Sequence, residues 1–495
     1  MRANFQHMSV FRFIFHLIAV IIFFSACNKP GSDYMTVNRQ ADIFPAYQQG
    51  TVIPYNIAPM NFIVNETGSR FFVRFSADGN DLFDISCKGN VSIPMRKWKK
   101  MLNDYRGKQF EISIFVKESS AWTRFSPLSF TIAHQPVDPY LAYRLIEPGY
   151  EIWGKMGIYQ RNLENFVEKP IIINSLTDGS CMNCHSFNKN DPQTMLFHLR
   201  QKHAGTIILK DGNIDKINTR AEWMISPGVY PRWHPQGRFV AFSVNTTRQE
   251  FHTANENKVE VYDMASDLMI YDTQTNTVFT DSTIFSQHRF ETFPEWSPDG
   301  KYLYFSSTEA RQMPDEFDVL RYDLLRVAFD ATTGHFGNHV DTIVSSLQTG
   351  KSVTFARISP DGKYIVFCMA NYGSFPVWHR DSDLFIMNLE TQKIENMMVI
   401  NSNQSESYHS WSSNGRWIVF GSRRMDGTFT RPFICYFDTD GKAYPPFPVP
   451  QKNPMHYKVS LKSYNIPEFI TGKVAISPHK FAKAAKGAAI NVNSL

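Results

Sequence analysis

Four segments of this chain match one another, and that repetition limits the fold more than any other feature. They begin at Tyr230, Phe293, Phe355 and Tyr408, and each carries an aromatic start, a tight turn and then an apolar run. The turns read Ser297-Pro298-Asp299-Gly300 and Ser359-Pro360-Asp361-Gly362, with His234-Pro235-Gln236-Gly237 and Ser412-Ser413-Asn414-Gly415 as variants. Glycine supplies the positive φ that such a turn needs, and Asp or Asn bonds back onto the turn amides. Each hairpin is followed by a second β pair, as at Asp267–Asp272 and Asp383–Asn388. Two hairpins per repeat make a four-stranded blade. The starts lie 63, 62 and 53 residues apart, so some blades carry insertions. Four repeats do not close a ring; residues 195–220 and 459–476 are expected to add degenerate blades. The expectation is a C-terminal β-propeller over 195–480 with about six blades, seven being the alternative.

The rest of the chain is also mainly β. Aromatic residues reach 14%, with 41 Phe, which suits many short strands. Residues 52–135 alternate with a period of two in runs such as Phe71–Phe75 and Phe110–Val116, which predicts a β-sandwich-like domain. A short helix is expected over Met95–Leu102, with the basic run Arg96–Lys100 on a solvated face. Residues 27–51 form a tether, 136–194 an ordered connector and 481–495 a flexible tail.

The first residues predict export. Arg2 and Arg12 precede an apolar run, Phe13–Phe24, that is too short to span a bilayer. It ends in Phe24-Ser25-Ala26-Cys27, which resembles the lipobox of bacterial lipoproteins. Residues 1–26 are then a signal peptide and Cys27 the acylated N-terminus, with Phe24 departing from the commonest Leu. The absence of an acidic run after Cys27 points to an outer-membrane anchor facing the periplasm. Of six cysteines, setting aside Cys27 and the Cys181/Cys184 pair leaves Cys87, Cys368 and Cys435, an odd number that argues against a disulfide framework. These three sit in apolar runs as packing residues.

Cys181-Met182-Asn183-Cys184-His185 has the spacing of a c-type haem attachment site. Two thiols would each add to a vinyl group, and His185 would reach the iron. A thioredoxin-like pair would want a strand-to-helix junction, but the flanks, Thr177–Ser180 and Ser186–Pro192, read as loop. A zinc site would need a second ligand pair, and the sequence has no second Cys-x-x-Cys. For the sixth iron ligand the first candidate is His198, then His203 and Met195; an open position is the alternative. Arg423, Arg424 and Arg431, near His409, would meet haem propionates or form a solvated blade edge; His234 and His252 stay ambiguous.

The Ser-Pro-Asp-Gly-Lys-Tyr-x-x-Phe repeat resembles the propeller repeats of TolB-type periplasmic proteins. Leader, β domain, one Cys-x-x-Cys-His and such blades together resemble a group of Bacteroidetes TolB-like lipoproteins. The resemblance implies fold and one covalent haem c more than it implies a task. The leading expectation is an envelope-anchored monohaem protein for electron transfer or redox sensing. Its propeller face would dock a redox partner or another envelope protein, and its lipid would hold the membrane. The alternatives are a TolB-like binding scaffold in which haem is structural, and a peroxidase-like haem enzyme. The formal charge of +5, with no dense basic stripe beyond residues 96–100, gives no case for nucleic acid. Neither a Gly-x-Ser-x-Gly elbow nor a His-Glu-x-x-His helix is present.

Overall fold

The computed structural model describes residues 29–147 and 154–494. The leader and Cys27 lie outside the described residues. Strand makes up 48% and helix 9%, so the fold is mainly β, in many small sheets. The chain divides into two compact units. The first holds the described residues up to Thr51, with Pro59–His134 and Pro450–His456. The second holds Val52–Ala58, Gln135–Val449 and the described residues from Tyr457 onward.

In the first unit the strand Gln109–Glu118 pairs with Arg70–Ala77, Ala121–Phe125 and Leu128–Ala133, all antiparallel. A small sheet combines Ile43–Phe44, Phe62–Val64 and Asn90–Val91. Helix α1, Met95–Asp104, buries Trp98 against Phe75 and Phe110, at ring distances of 6.4 and 5.9 Å. Arg96, Lys97 and Lys100 stay exposed, so the basic run is the outer face of an amphipathic helix.

The second unit contains six successive antiparallel sheets built on four strands each. Their innermost strands are β1 (Met182–Phe187), β2 (Val229–Trp233), β3 (Arg289–Trp296), β4 (Ser352–Ile358), β5 (Glu406–Trp411) and β6 (Ser463–Ile470). Each touches the next, and β6 packs against both β5 and β1, so the inner strands form a closed ring. The arrangement is β-propeller-like. β6 completes a sheet whose other strands, Tyr140–Ile146, Gly157–Asn162 and Glu168–Ile173, come from before the repeats. Closing the ring with a distant strand ties the two ends of this unit together.

The repeated turn works as its sequence predicts. Ser297 Oγ donates to Asp299 at 2.6 Å and accepts from the Tyr302 amide at 3.0 Å, while Asp299 takes the Lys301 amide at 3.1 Å. Gly300 sits at φ +75°, and Gly237, Gly362 and Gly415 repeat that conformation. The Trp before the turn pins neighbouring sheets. Trp233, Trp296 and Trp411 donate Nε1–H to the carbonyls of Ser186, Arg232 and Arg357, at 3.1–3.3 Å.

Several expected boundaries differ. Residues 136–194, read as a connector, supply three strands of one sheet and the inner strand of the next. Tyr140–Ile146 is buried on both faces over its middle five residues, so it shows none of the alternation that marks a half-buried strand. Residues 195–218 are outer strands of the sheet begun by β1, and the run near 463–470 is β6; neither is a blade alone. The expected tail opens with helix α2, Pro478–Lys486, capped by Ser477 and burying Phe481 and Ala485. Beyond it, Ile490–Asn491 and Asn493–Ser494 pair in parallel with the outer edges of two sheets.

Candidate functional site

Each inner strand breaks its pairing register once, and at each break one residue adopts a left-handed backbone. These residues are Cys184, Tyr230, Phe293, Phe355, Tyr408 and Ile466, with φ between +46° and +54°. A bulge of this kind re-aims a side chain out of the pleat. Recurrence in all six sheets makes it a feature of the ring's construction, not strain peculiar to one site. All six residues line one small void of about 30 Å³ on the axis of the ring. Tyr230, Phe293, Phe355 and Tyr408 contact one another in sequence as tilted rings with centroids 4.6, 4.3 and 5.3 Å apart, so the axis is narrowed by aromatic side chains.

The Cys-x-x-Cys-His motif therefore lies on β1 from Met182 to His185, with Cys181 immediately before the strand. Asn183 pairs with His198 and Ser186 with Leu196 across the neighbouring strand Met195–Leu199, and this pairing is what holds the motif extended. Cys181 and Cys184 are buried free thiols, as are Cys368 and Cys435, while free Cys87 is partly exposed. Burial pushes the Cys184 thiol up. His185 is 2% exposed, and neither ring nitrogen makes a well-formed hydrogen bond, although the Ile466 backbone lies near enough to act on it. Burial, with the charges of Arg144 and Arg232, pushes its imidazole down to about 3, against a small upward pull from the Ile466 backbone. The ring is thus neutral, the form that ligates a metal.

Above these rings, Cys181 opens on a different cavity, a cleft of about 210 Å³ that it shares with Arg144, Asn183, Arg200 and Arg423. Tyr230 and Tyr408 line both this cleft and the void at His185. Arg144, 8% exposed, donates to Asn183 Oδ1 and, at 3.4 Å, to the Met182 carbonyl. Arg423 stacks on Trp378, its Cζ 3.3 Å from the ring centroid. Arg424 pairs with Glu406 at 3.0 Å, and Arg431 is fully buried among main-chain carbonyls. The solvated blade edge expected for these arginines is not found, because each is inside the packing.

The structure does not bring the other expected ligands to His185. His198, on the strand beside β1, has Nδ1 3.3 Å from Thr206 Oγ1 and lines neither cavity. Met195 packs in an apolar cluster, and His203 lies 2.8 Å from Asp178. His409, which follows Tyr408 as His185 follows Cys184, has Nε2 2.8 Å from the Val366 carbonyl; His234 has Nε2 3.0 Å from that of Gly300. Among the described residues no group of three or more His, Cys, Asp or Glu is placed to hold a metal ion.

The donor set suits a c-type haem in its chemistry: two free thiols, a neutral imidazole with no well-formed hydrogen bond and guanidinium groups beside Cys181. The space around it does not. A 30 Å³ void is far below the several hundred Å³ of an ordinary cofactor pocket. Cys181 also faces a different cavity from Cys184 and His185.

Sequence reasoning missed Arg144, Arg232, Glu295, Arg357 and Glu468. The last four lie two residues after left-handed positions, a pattern visible once Ile466-Pro467-Glu468-Phe469 is set beside Phe293-Pro294-Glu295-Trp296.

No family model matches the chain, and no curated protein does. Solved structures similar to it include an oligogalacturonate lyase from Vibrio parahaemolyticus, at 12% identity and a TM-score of 0.32, covering 61% of this chain and 92% of that one. A periplasmic gluconolactonase from Pseudomonas aeruginosa is similar at 11% identity and 0.33, covering 67% and 99%. Prolyl oligopeptidase B from Galerina marginata is similar at 11% and 0.35, covering 68% and 42%. Likeness at this level says nothing of activity.

Proposed function

We propose that this chain is an envelope-anchored, TolB-like propeller lipoprotein that carries one haem at Cys181, Cys184 and His185, for which the aromatic side chains around the void of about 30 Å³ would have to move aside. It would serve electron transfer or redox sensing, with the propeller face docking a partner protein. The observation that carries this reading is His185: a buried, neutral imidazole with no well-formed hydrogen bond at either nitrogen, next to the free thiol of Cys184 and four positions after that of Cys181. Leaving such a group unsatisfied costs about 1–3 kcal/mol, which ligation would remove. Arg144, Arg200 and Arg423 would hold carboxylates of the group in the cleft that Cys181 lines. A bound haem would supply a one-electron couple; the chain's own residues bury the donors and keep His185 deprotonated.

A second reading has an observation in its favour. Cys184 occupies the position that aromatic residues or Ile fill in the other five inner strands, so the motif also serves as a wall of the ring. On that reading the protein is a propeller scaffold without haem. Export of the full chain in a host with haem-attachment machinery separates the two. Attachment gives a pyridine haemochrome that survives acid acetone and is lost in Cys181→Ala and Cys184→Ala. Colourless, folded protein establishes the scaffold and ends the haem reading.

A further inference from the structure

The other mouth of the ring holds a second site, independent of the haem reading. Two residues beyond each left-handed position stand Ser186, Arg232, Glu295, Arg357, Ser410 and Glu468, and all six line a cavity of about 350 Å³. The size falls within the range of small-molecule pockets. Glu295 Oε2 is shared between Arg232 Nε at 3.2 Å and Arg357 Nη1 at 3.4 Å. Glu468 accepts the Phe187 amide through Oε1 at 3.2 Å.

Four buried polar atoms of this cavity's lining have no partner: Ser186 Oγ, Asn188 Oδ1, Arg357 Nε and Glu468 Oε2. Ser186 is 1% exposed and Glu468 7%. Buried polar groups are nearly always satisfied, so four orphans around one cavity mark a place where something else bonds. Their chemistry restricts what that is. Arg357 Nε only donates, Asn188 Oδ1 only accepts, and the Ser186 hydroxyl does both. Arg232 and Arg357 stand among Glu295 and Glu468, whose carboxyls burial pushes up to about 7, so near neutral pH the inner ring is a mixed set of donors and acceptors and not a fixed charge. Hydroxyl groups, which donate and accept from one atom, answer a mixed set without adding charge. The indole nitrogens of Trp233, Trp296 and Trp411 are already bonded to backbone, which leaves these side chains as apolar wall.

We propose that this mouth binds a neutral polyhydroxylated ligand of monosaccharide size, held by Ser186, Asn188, Arg357 and Glu468. Intrinsic fluorescence reads the site directly, because three tryptophans line it. The full chain is titrated with D-glucose and D-galactose, and with glycine and glucose 6-phosphate as a zwitterion and an anion. A saturable fluorescence change and saturation-transfer NMR signals with at least one neutral hexose support the proposal. Glu468→Gln is expected to weaken that binding several-fold, since the unpartnered acceptor Oε2 becomes an amide nitrogen that only donates. Ser186→Ala removes an oxygen without a partner in the fold, so it should keep its Tm while weakening binding several-fold. No saturable response to either hexose up to about 50 mM, a range far weaker than ordinary ligand affinity, overturns the proposal and leaves a water-filled cavity. Stronger binding of glycine or the phosphate, or hexose binding unchanged in both variants, overturns it as well.

Discussion

A neutral imidazole kept from water is a liability in acid, and His185 is held near 3 while its unfolded counterpart titrates near the ordinary value of 6.5. Below 6.5 the unfolded chain takes up a proton that the folded one refuses, so the stability present above 6.5 drains away as pH falls towards 3. His198, also at about 3, and His409, at about 4, act in the same direction. Glu295 and Glu468, both pushed up to about 7 by burial, act in the opposite direction over this range, so the test is the difference between variants: the haem-free His185→Gln chain should gain Tm relative to wild type as pH falls from 6.5 to 4. An unchanged slope in that variant would show that the buried ring does not couple to folding. The motif's residues were legible in the sequence as a string. Their placement was not, because Cys-x-x-Cys-His suggests its own local geometry, while here pairing with Met195–Leu199 imposes an extended one.

The repeated turn was the most readable element, since its chemistry is local: a side-chain oxygen, a carboxylate two residues on and a glycine with positive φ. Two of these glycines differ in what surrounds them. A Cβ on Gly362 would meet nothing within 4 Å, whereas one on Gly300 would lie 2.3 Å from Nε2 of buried His234. Gly362→Ala is expected to cost about 1 kcal/mol, from backbone conformation alone. Gly300→Ala should cost about 2–3 kcal/mol, because His234 must also shift. Denaturant unfolding of the two variants checks the order; equal losses would mean that His234 yields freely. Elements that lack the turn were harder to read. β1 and β6 carry the same bulge without Ser-Pro-Asp-Gly, and the strands over 140–173 are buried too evenly to alternate.

For the whole molecule, ring closure depends on β6 pairing with Tyr140–Ile146 across more than three hundred residues of sequence. No local signal reports such a partner, which is why the four matched repeats were readable and the closing strand was not. Ending the chain at residue 459 removes β6 and leaves that sheet without its inner strand. Such a truncation is expected to lose the cooperative unfolding transition of the second unit and to become open to limited proteolysis. Retention of that transition would show that the remaining sheets hold the ring unaided.

The aromatic side chains that narrow the axis have a consequence for traffic. A void of about 30 Å³ has room for roughly one water and no solute. The arginine-lined cleft and the Ser186–Glu468 mouth are thus separate compartments, one on either side of a constriction. A solute larger than water that enters one face meets this constriction before it reaches the other. Any communication between them must travel as a displacement of Tyr230, Phe293, Phe355 or Tyr408, so occupancy on one side would be felt on the other as a mechanical event.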